Sequence, residues 1–175
     1  MGKIEKIIKM IDRISEVSGR WISWFVLVFT LMLGYEVAAR YVFNSPTVWA
    51  FDLSYMLGGS YFLLGEAYCL LKRRHVRIDI FYNRFSPRNR AWVDVVFSII
   101  FFFPLWCGLL YVLIPHVVMS WQIAERAEGG TWLPPIYPFK TVMPVAIFLF
   151  VLQGIAEFLR SLLVILKGGT SLAPK

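Results

Sequence analysis

The chain has 175 residues, of which 58% are hydrophobic and 17% are charged, and its formal net charge is +7. This apolar fraction exceeds that of an ordinary soluble domain, and the charges come in groups between long apolar runs. The composition therefore predicts a polytopic membrane protein rather than a soluble one. Nucleic-acid binding is not indicated, because no sustained basic stripe with interleaved stacking aromatics lies outside the apolar runs.

Residues 1–20 combine an apolar helical face with basic side chains that lie largely off that face. The apolar positions include Ile4, Ile7, Ile8, Ile11 and Ile14, and the basic ones are Lys3, Lys6, Lys9, Arg13 and Arg20. This pattern predicts an amphipathic helix in the headgroup region, with its lysines towards anionic phospholipid. The alternative is an ordinary solvated helix, which the apolar run directly after residue 20 makes the less favoured interpretation.

Four apolar runs are each long enough to cross a hydrocarbon core of about 30 Å at about 1.5 Å per residue. The predicted membrane domain covers residues 21–166, with spans at about 21–43, 51–71, 91–116 and 141–166, followed by a disordered tail at 167–175. Gly58 and Gly59 make the second span a small-residue helix that suits close helix contact. Pro104 predicts a kink in the third span, because proline removes one backbone hydrogen bond and clashes with the preceding turn.

The basic residues predict the orientation of these spans. Of the 18 lysines and arginines, all but Arg40, Arg126 and Lys140 lie before the first span, between the second and third, or from residue 160 onwards. The positive-inside rule therefore places both termini in the cytoplasm. The corner at residues 41–49 and the loop at 120–140 are then expected to face outwards.

An ionisable pair and a helix break occur together between the first two spans. Glu36 and Arg40 are four residues apart, which places them on one helix face. The break and the start of the next helix are formed by Asn44, Ser45, Pro46, Trp49 and Asp52. Ionisable groups at this depth are costly unless they are paired or face protein. We expect the pair to fix this turn for a partner rather than to move an ion.

Two further acids lie near the ends of apolar runs. Glu66 precedes Lys72 and Arg73, and Glu157 precedes Arg160 by three residues. One interpretation joins these acids and Glu36 in a proton or cation path. Anchoring or intersubunit pairing is favoured, because each acid has a basic neighbour in the sequence.

No pattern in the sequence predicts an enzyme, a cofactor or a metal site. His75 and His116 belong to opposite membrane boundaries, about 30 Å apart, and are not expected to share a metal or a haem. Cys69 and Cys107 lie in apolar runs and are predicted to be small packing residues. The sequence has no Gly-rich phosphate loop, Ser/His pairing or metal-ligand spacing.

The order of these motifs resembles the small, Q-type (DctQ-like) membrane subunit of TRAP transporters, the tripartite ATP-independent periplasmic uptake systems. The first motif is ExxxRYVFNxPxxWxxD at residues 36–52, in which this chain has Asp52 where many members have Glu. The second is HVRID at residues 75–79, which includes His75 and Asp79. The third runs through Ser120, Glu125, Pro134, Pro135, Lys140, Pro144, Gln153 and Glu157.

The resemblance implies a non-catalytic scaffold subunit of a sodium-coupled importer in the bacterial inner membrane. In this family a large, M-type subunit holds the substrate and sodium sites and moves as an elevator, while the small subunit packs against its fixed part. A soluble periplasmic binding protein delivers the substrate, commonly an organic acid. The alternatives are a membrane-anchor or cytochrome-like redox subunit and a small stand-alone channel or exporter.

The expected fold is all-α, with four transmembrane helices, an amino-terminal amphipathic helix and both termini cytoplasmic. The residues predicted to be structural or to contact the large subunit are Glu36, Arg40, Asn44, Pro46, Trp49, Asp52, Gly58, Gly59, Glu66, His75, Asp79, Pro104, Glu157 and Arg160. The residues predicted to contact the periplasmic binding protein are Glu125, Arg126, Glu128 and Lys140. Phospholipids are the remaining expected partners.

Overall fold

A computed structural model of the chain describes residues 2–72, 85–128 and 132–166. Its helices are α1 (Lys3–Tyr41), α2 (Ala50–Leu71), α3 (Pro87–Phe97), α4 (Phe103–Gln122) and α5 (Tyr137–Leu166), with a π-helical segment at Ser98–Phe102. No β-strand occurs in these ranges, so the predicted all-α fold class is confirmed. His75, Asp79 and the tail at 167–175 lie outside the described residues.

Three helical units are long and apolar enough to cross a membrane. Among the described residues these are α1, the continuous unit Pro87–Gln122 and α5. The helix α2 has 22 residues, enough for a crossing by length. It does not reach the hydropathy of the other three, because serines, tyrosines and two acids interrupt its apolar residues.

The first helix is continuous over 39 residues, without a break between the predicted amphipathic helix and the predicted first span. Ile8 and Ile11 are buried and pack with Ala156 and Leu163 of α5. The exposed isoleucines of the same segment are Ile4, Ile7 and Ile14. The apolar face predicted for residues 1–20 is thus divided between the protein core and the exterior.

The last helix is the centre of the bundle. It packs against α1, α2, α3 and α4, and it contributes more buried residues than any other helix in the described ranges. Phe150 meets Phe102 and Trp106 of the neighbouring unit, with ring centroids 5.2 and 4.8 Å apart. Tilted and edge-to-face aromatic pairs at this distance are favourable. Most other large apolar side chains point outwards, as lipid or a protein partner requires.

A wide helical turn precedes Pro104. The backbone N–H of Phe103 donates to the Ser98 carbonyl, a five-residue spacing that defines a π turn. Pro104 has no N–H with which to bind the carbonyl four residues earlier, so a regular α-helical ladder cannot continue through this point. The sequence predicts a kink at Pro104, and the structure has a π segment at Ser98–Phe102, shortly before it.

The closest helix contacts occur at glycines other than the two predicted. A Cβ on Gly58 would lie 3.5 Å from Phe29, and one on Gly59 would lie 3.2 Å from Phe139. A Cβ on Gly19 would fall 2.6 Å from the Cβ of Tyr68 in α2. A Cβ on Gly154 would fall 2.5 Å from the ring of Phe102. The last two glycines allow the tight approach of α1 to α2 and of α5 to the π segment.

Candidate functional site

The turn after α1 brings the chain back onto the helix that it has just left. Asn44 has a φ of 50°, in the left-handed region that asparagine tolerates better than most residues. The Ser45 N–H donates to the Ala39 carbonyl at 3.0 Å. The backbone then reverses, and Thr47 returns to the level of Glu36.

Glu36, Arg40 and Thr47 form the corner cluster. Arg40 donates from Nε and Nη2 to Glu36 Oε1, at 2.9 and 2.5 Å. The Thr47 N–H donates to Glu36 Oε2 at 3.2 Å, and the Thr47 hydroxyl donates to the same oxygen. Glu36 is only 8% exposed, so these donors replace water for both carboxylate oxygens. The cluster ties α1 to the segment that leads into α2.

A cavity of about 490 Å³ adjoins the corner cluster. It is lined by Tyr35, Ala38, Ala39, Phe43, Ser45, Pro46, Thr47, Val48 and Trp49. Among the lining residues, the rings of Tyr35 and Trp49 stack with centroids 6.2 Å apart. Asp52 lies in the first turn of α2, where the helix dipole favours a negative charge. The corner therefore presents a mainly apolar recess beside a neutralised ion pair.

A second turn places Glu125 beside the end of α4. Ala124 has a φ of 47°, and its N–H donates to the Trp121 carbonyl at 3.3 Å. The Glu125 N–H donates to the Ser120 carbonyl at 3.1 Å. These two bonds form a Schellman motif, which reverses the chain at a helix end.

Ser120, Glu125 and Lys140 form the loop cluster. The Ser120 hydroxyl donates to Glu125 Oε2 at 2.6 Å, and Lys140 Nζ lies 2.6 Å from each carboxylate oxygen. Hydrogen bonds first from Lys140 and then from Ser120 hold the pKa of the Glu125 carboxyl below its ordinary value. His116 Nε2 lies 3.5 Å from Lys140 Nζ. The cluster joins the end of α4 to the first turn of α5.

The four residues predicted to contact the binding protein fall into two pairs. Glu125 and Lys140 bind each other within the loop cluster. Arg126 and Glu128 are exposed, although the Arg126 backbone is held in a β-bridge with Pro135. Their side chains thus extend from a fixed turn.

Asp12, Ser15, Gln153, Glu157 and Arg160 form the α1–α5 cluster. The Ser15 hydroxyl donates to Gln153 Oε1 at 2.7 Å, and Gln153 Nε2 donates to Asp12 Oδ1 at 3.2 Å. The Arg160 guanidinium binds both Asp12 and Glu157. Ser15, Gln153 and Arg160 are at most 5% exposed. Buried groups of this kind need such partners, because an unpaired one costs a large desolvation free energy.

Glu157 and Arg160 are predicted from the sequence, but Asp12 as the partner of Arg160 and Ser15 as the partner of Gln153 are not. Spacings of four and three residues place Gln153, Glu157 and Arg160 on one face of α5, and this polar stripe in an apolar run is the signal for a buried cluster. Lys72, predicted as a neighbour of Glu66, has its Nζ 3.7 Å from Glu16 of α1. That pair is about half exposed and contributes little to stability.

The three clusters are built for joining helices. In the described residues, no group of three His, Cys, Asp or Glu side chains is arranged to hold a metal ion. Glu36, Glu125 and Asp12 each accept hydrogen bonds from a basic side chain and from a hydroxyl or amide group. Carboxylates that accept hydrogen bonds from several side chains in this way stabilise contacts between distant segments of the chain.

A family model described as "Tripartite ATP-independent periplasmic transporters, DctQ component" matches residues 14–164. The matched range contains the corner cluster, the loop cluster and all of the α1–α5 cluster except Asp12. No individually curated protein matches the chain.

Proposed function

Because the chain belongs to the DctQ component family of the tripartite ATP-independent periplasmic transporters, we propose that it is the small scaffold subunit of a sodium-coupled importer. Its substrates are organic acids or similar small solutes, and it has no catalytic or ion-moving role of its own. The tripartite system implies a large membrane subunit and a periplasmic binding protein as partners. The proposed location is the bacterial inner membrane.

The main support for the scaffold role is that charged groups in the three clusters are already paired within the subunit. A site that moves ions needs groups that exchange partners during a cycle. Glu36, Glu125 and Arg160 instead have their bonding groups occupied by other side chains of the same subunit. These pairs support a fixed bundle that positions a moving partner.

The spacing of the charged groups supports crossings by α1, α2 and α5. Glu16 and Glu36 in α1 are 20 residues apart, as are Asp52 in α2 and Lys72 directly after it, and Lys140 and Arg160 in α5. At about 1.5 Å per residue each interval is about 30 Å, the thickness of the hydrocarbon core. We assign these groups to two layers at the membrane boundaries, and α2 then crosses the membrane like the other helices.

The excess of basic residues at the amino terminus supports an orientation with both termini in the cytoplasm. In that orientation the corner and loop clusters face the periplasm. The corner cavity, with the exposed Phe43 and Val48 at its rim, is the part that we assign to the large subunit. Arg126 and Glu128, which are exposed on a fixed turn, are assigned to the binding protein.

Co-purification and transport test the scaffold role. This chain, with an affinity tag, is expected to retain the large subunit encoded with it, and uptake in liposomes should require sodium, the large subunit and the binding protein. The tagged chain alone in the same liposomes is the control and should give no uptake. Sodium-dependent uptake by this chain alone would refute the scaffold role.

Cysteine labelling tests the crossing by α2. With Cys69 and Cys107 replaced by alanine, single cysteines at Ser45 and Arg88 flank α2 in the sequence. A membrane-impermeant maleimide added to intact spheroplasts should label position 45 at once and position 88 only after permeabilisation. Labelling of both from the outside would mean that α2 does not cross.

A further inference from the structure

The amino-terminal half of α1 presents three faces with different chemistry. One face is buried on α5 through Ile8, Ile11 and Ser15. The second is an exposed apolar row of Ile7, Met10, Ile14, Val17 and Trp21. The third is an exposed basic row of Lys6, Arg13 and Arg20. Seven residues are nearly two helical turns, so the three cations share one side of the helix.

The helix is longer than a membrane crossing requires. Its 39 residues extend about 58 Å, whereas the hydrocarbon core of a bilayer is about 30 Å thick. The corner cluster fixes the carboxy-terminal end of α1 to the start of α2. The surplus length therefore belongs to the amino-terminal end, where the basic row lies.

This end of α1 is held in a fixed rotation. Asp12 binds Arg160, and Ser15 binds Gln153, so the buried face stays on α5. The apolar row then continues along the same helix into exposed residues of the span, including Leu31. With Met10 61% and Trp21 69% exposed, an apolar medium must cover the row along this length.

We propose that the amino-terminal half of α1 binds anionic phospholipid of the inner leaflet. The phosphates pair with Lys6, Arg13 and Arg20, and the lipid covers the adjoining apolar row. The inference rests on the proposed orientation with a cytoplasmic amino terminus. Charge complementarity selects lipid over a protein partner, because three exposed cations lie along one side of the helix, beside the exposed apolar row. Arg20, the deepest, reaches the headgroup layer by extending its long side chain.

Spin-labelled lipids test this proposal on the purified full chain. The chain is reconstituted in phosphatidylcholine vesicles that contain a trace of labelled phosphatidylglycerol or labelled phosphatidylcholine, and the immobilised fraction of each label is compared. Phosphatidylglycerol should be preferred severalfold, since each cation near the headgroups contributes up to about fivefold. The preference should fall in high salt and approach unity in K6Q/R13Q/R20Q.

A matched pair of single variants controls for charge. Arg13→Gln and Arg126→Gln each remove one exposed arginine, and only the first should reduce the preference for phosphatidylglycerol. Circular dichroism confirms that the variants fold, which their exposed positions favour. Equal lipid preference in the wild type and K6Q/R13Q/R20Q, or no preference in the wild type, would overturn the proposal.

A nitroxide at position 10 identifies what covers the apolar row in the complex. On Met10→Cys, with the two native cysteines replaced, the label should be accessible to oxygen and protected from an aqueous nickel reagent. A label accessible to nickel would show that water covers the row, and a label protected from both oxygen and nickel would show that protein covers it. Either result overturns the proposal. Co-purification with the large subunit tests the scaffold role separately. A chain that fails to co-purify but keeps its lipid preference supports lipid binding by α1 and refutes the scaffold role.

Discussion

Replacing Gly19 with alanine is expected to force α1 away from α2. The added Cβ would lie 2.5 Å from Tyr68 Cδ2 and 2.6 Å from Tyr68 Cβ, and nearer still to Cγ. Carbon atoms normally approach to about 3.5–4.0 Å, so the overlap is about 1 Å or more. Rotation of the Tyr68 ring cannot relieve it, because the clash includes the Cβ that is fixed to the backbone. The two helices must separate locally.

Gly34→Ala on the same helix provides the reference for this change. No atom lies within 4 Å of a Cβ added there, so Gly34→Ala changes only helix propensity, which both variants share. The difference in the free energy of unfolding between the two variants therefore measures the cost of the overlap, which we expect to be about 1–3 kcal/mol. For a chain of this size that is about 2–12 °C in the thermal midpoint.

Thermal unfolding of the purified chain in detergent, followed by circular dichroism, measures both midpoints. Gly19→Ala should unfold several degrees below Gly34→Ala, and Gly34→Ala should match or slightly exceed the wild type. Equal midpoints for the two variants would refute the close approach of α1 to Tyr68. A lowered midpoint for Gly34→Ala alone would refute it as well.

Three further predictions concern the clusters. Arg160→Gln leaves Asp12 and Glu157 without their cation and should lower the free energy of unfolding by about 3 kcal/mol. This is the lower end of the range for a broken buried pair, because Asp12 is 23% exposed. Asp12→Asn leaves Arg160 with Glu157 and should cost less in the same unfolding assay. Because the pKa of Glu125 is held below its ordinary value of 4.5, its ionised form stabilises the fold above about that pH, and the stabilisation is lost as pH falls through the folded-state pKa. The thermal midpoint should therefore drop on acidification in the wild type and less in Lys140→Gln, and identical acid profiles would contradict the pairing. Arg40→Ala should insert normally but reduce co-purification with the large subunit or reduce uptake, whereas Thr47→Val should have a smaller effect. Full assembly and uptake by Arg40→Ala would exclude an assembly role for the Glu36–Arg40 pair.

The features predicted correctly from the sequence are those that depend on near neighbours. Glu36 and Arg40 are four residues apart, so a helix alone brings them together. Asn44 and Pro46 indicate the break that follows, because both residues disfavour a continuing helix. Thr47, as the second donor to Glu36, depends on how the backbone reverses and has no comparable local signal.

The features that the sequence does not predict depend on how the helices pack. Asp12 and Arg160 are 148 residues apart, and an acid on a basic amphipathic helix is equally compatible with solvent. Gly19 and Gly154 allow the tightest contacts, but only the positions of Tyr68 and Phe102 distinguish them from Gly34. Pro104 predicts a kink in the helix, but it does not predict the π segment at Ser98–Phe102, from which Phe102 packs on α5.

The bond between Asp12 and Arg160 also has a consequence for the time course of biosynthesis. Ribosomes add about 5–20 residues per second, so about 7–30 s separate the synthesis of the two residues. During this interval α1 and α2 can enter the membrane, but Asp12 and Ser15 have no side chain from α5 to bind. The bundle is therefore complete only after α5 has been synthesised. A nascent chain that stops before residue 160 keeps Asp12 without its Arg160 partner. Such truncated chains should be recognised and degraded far sooner than the full-length protein.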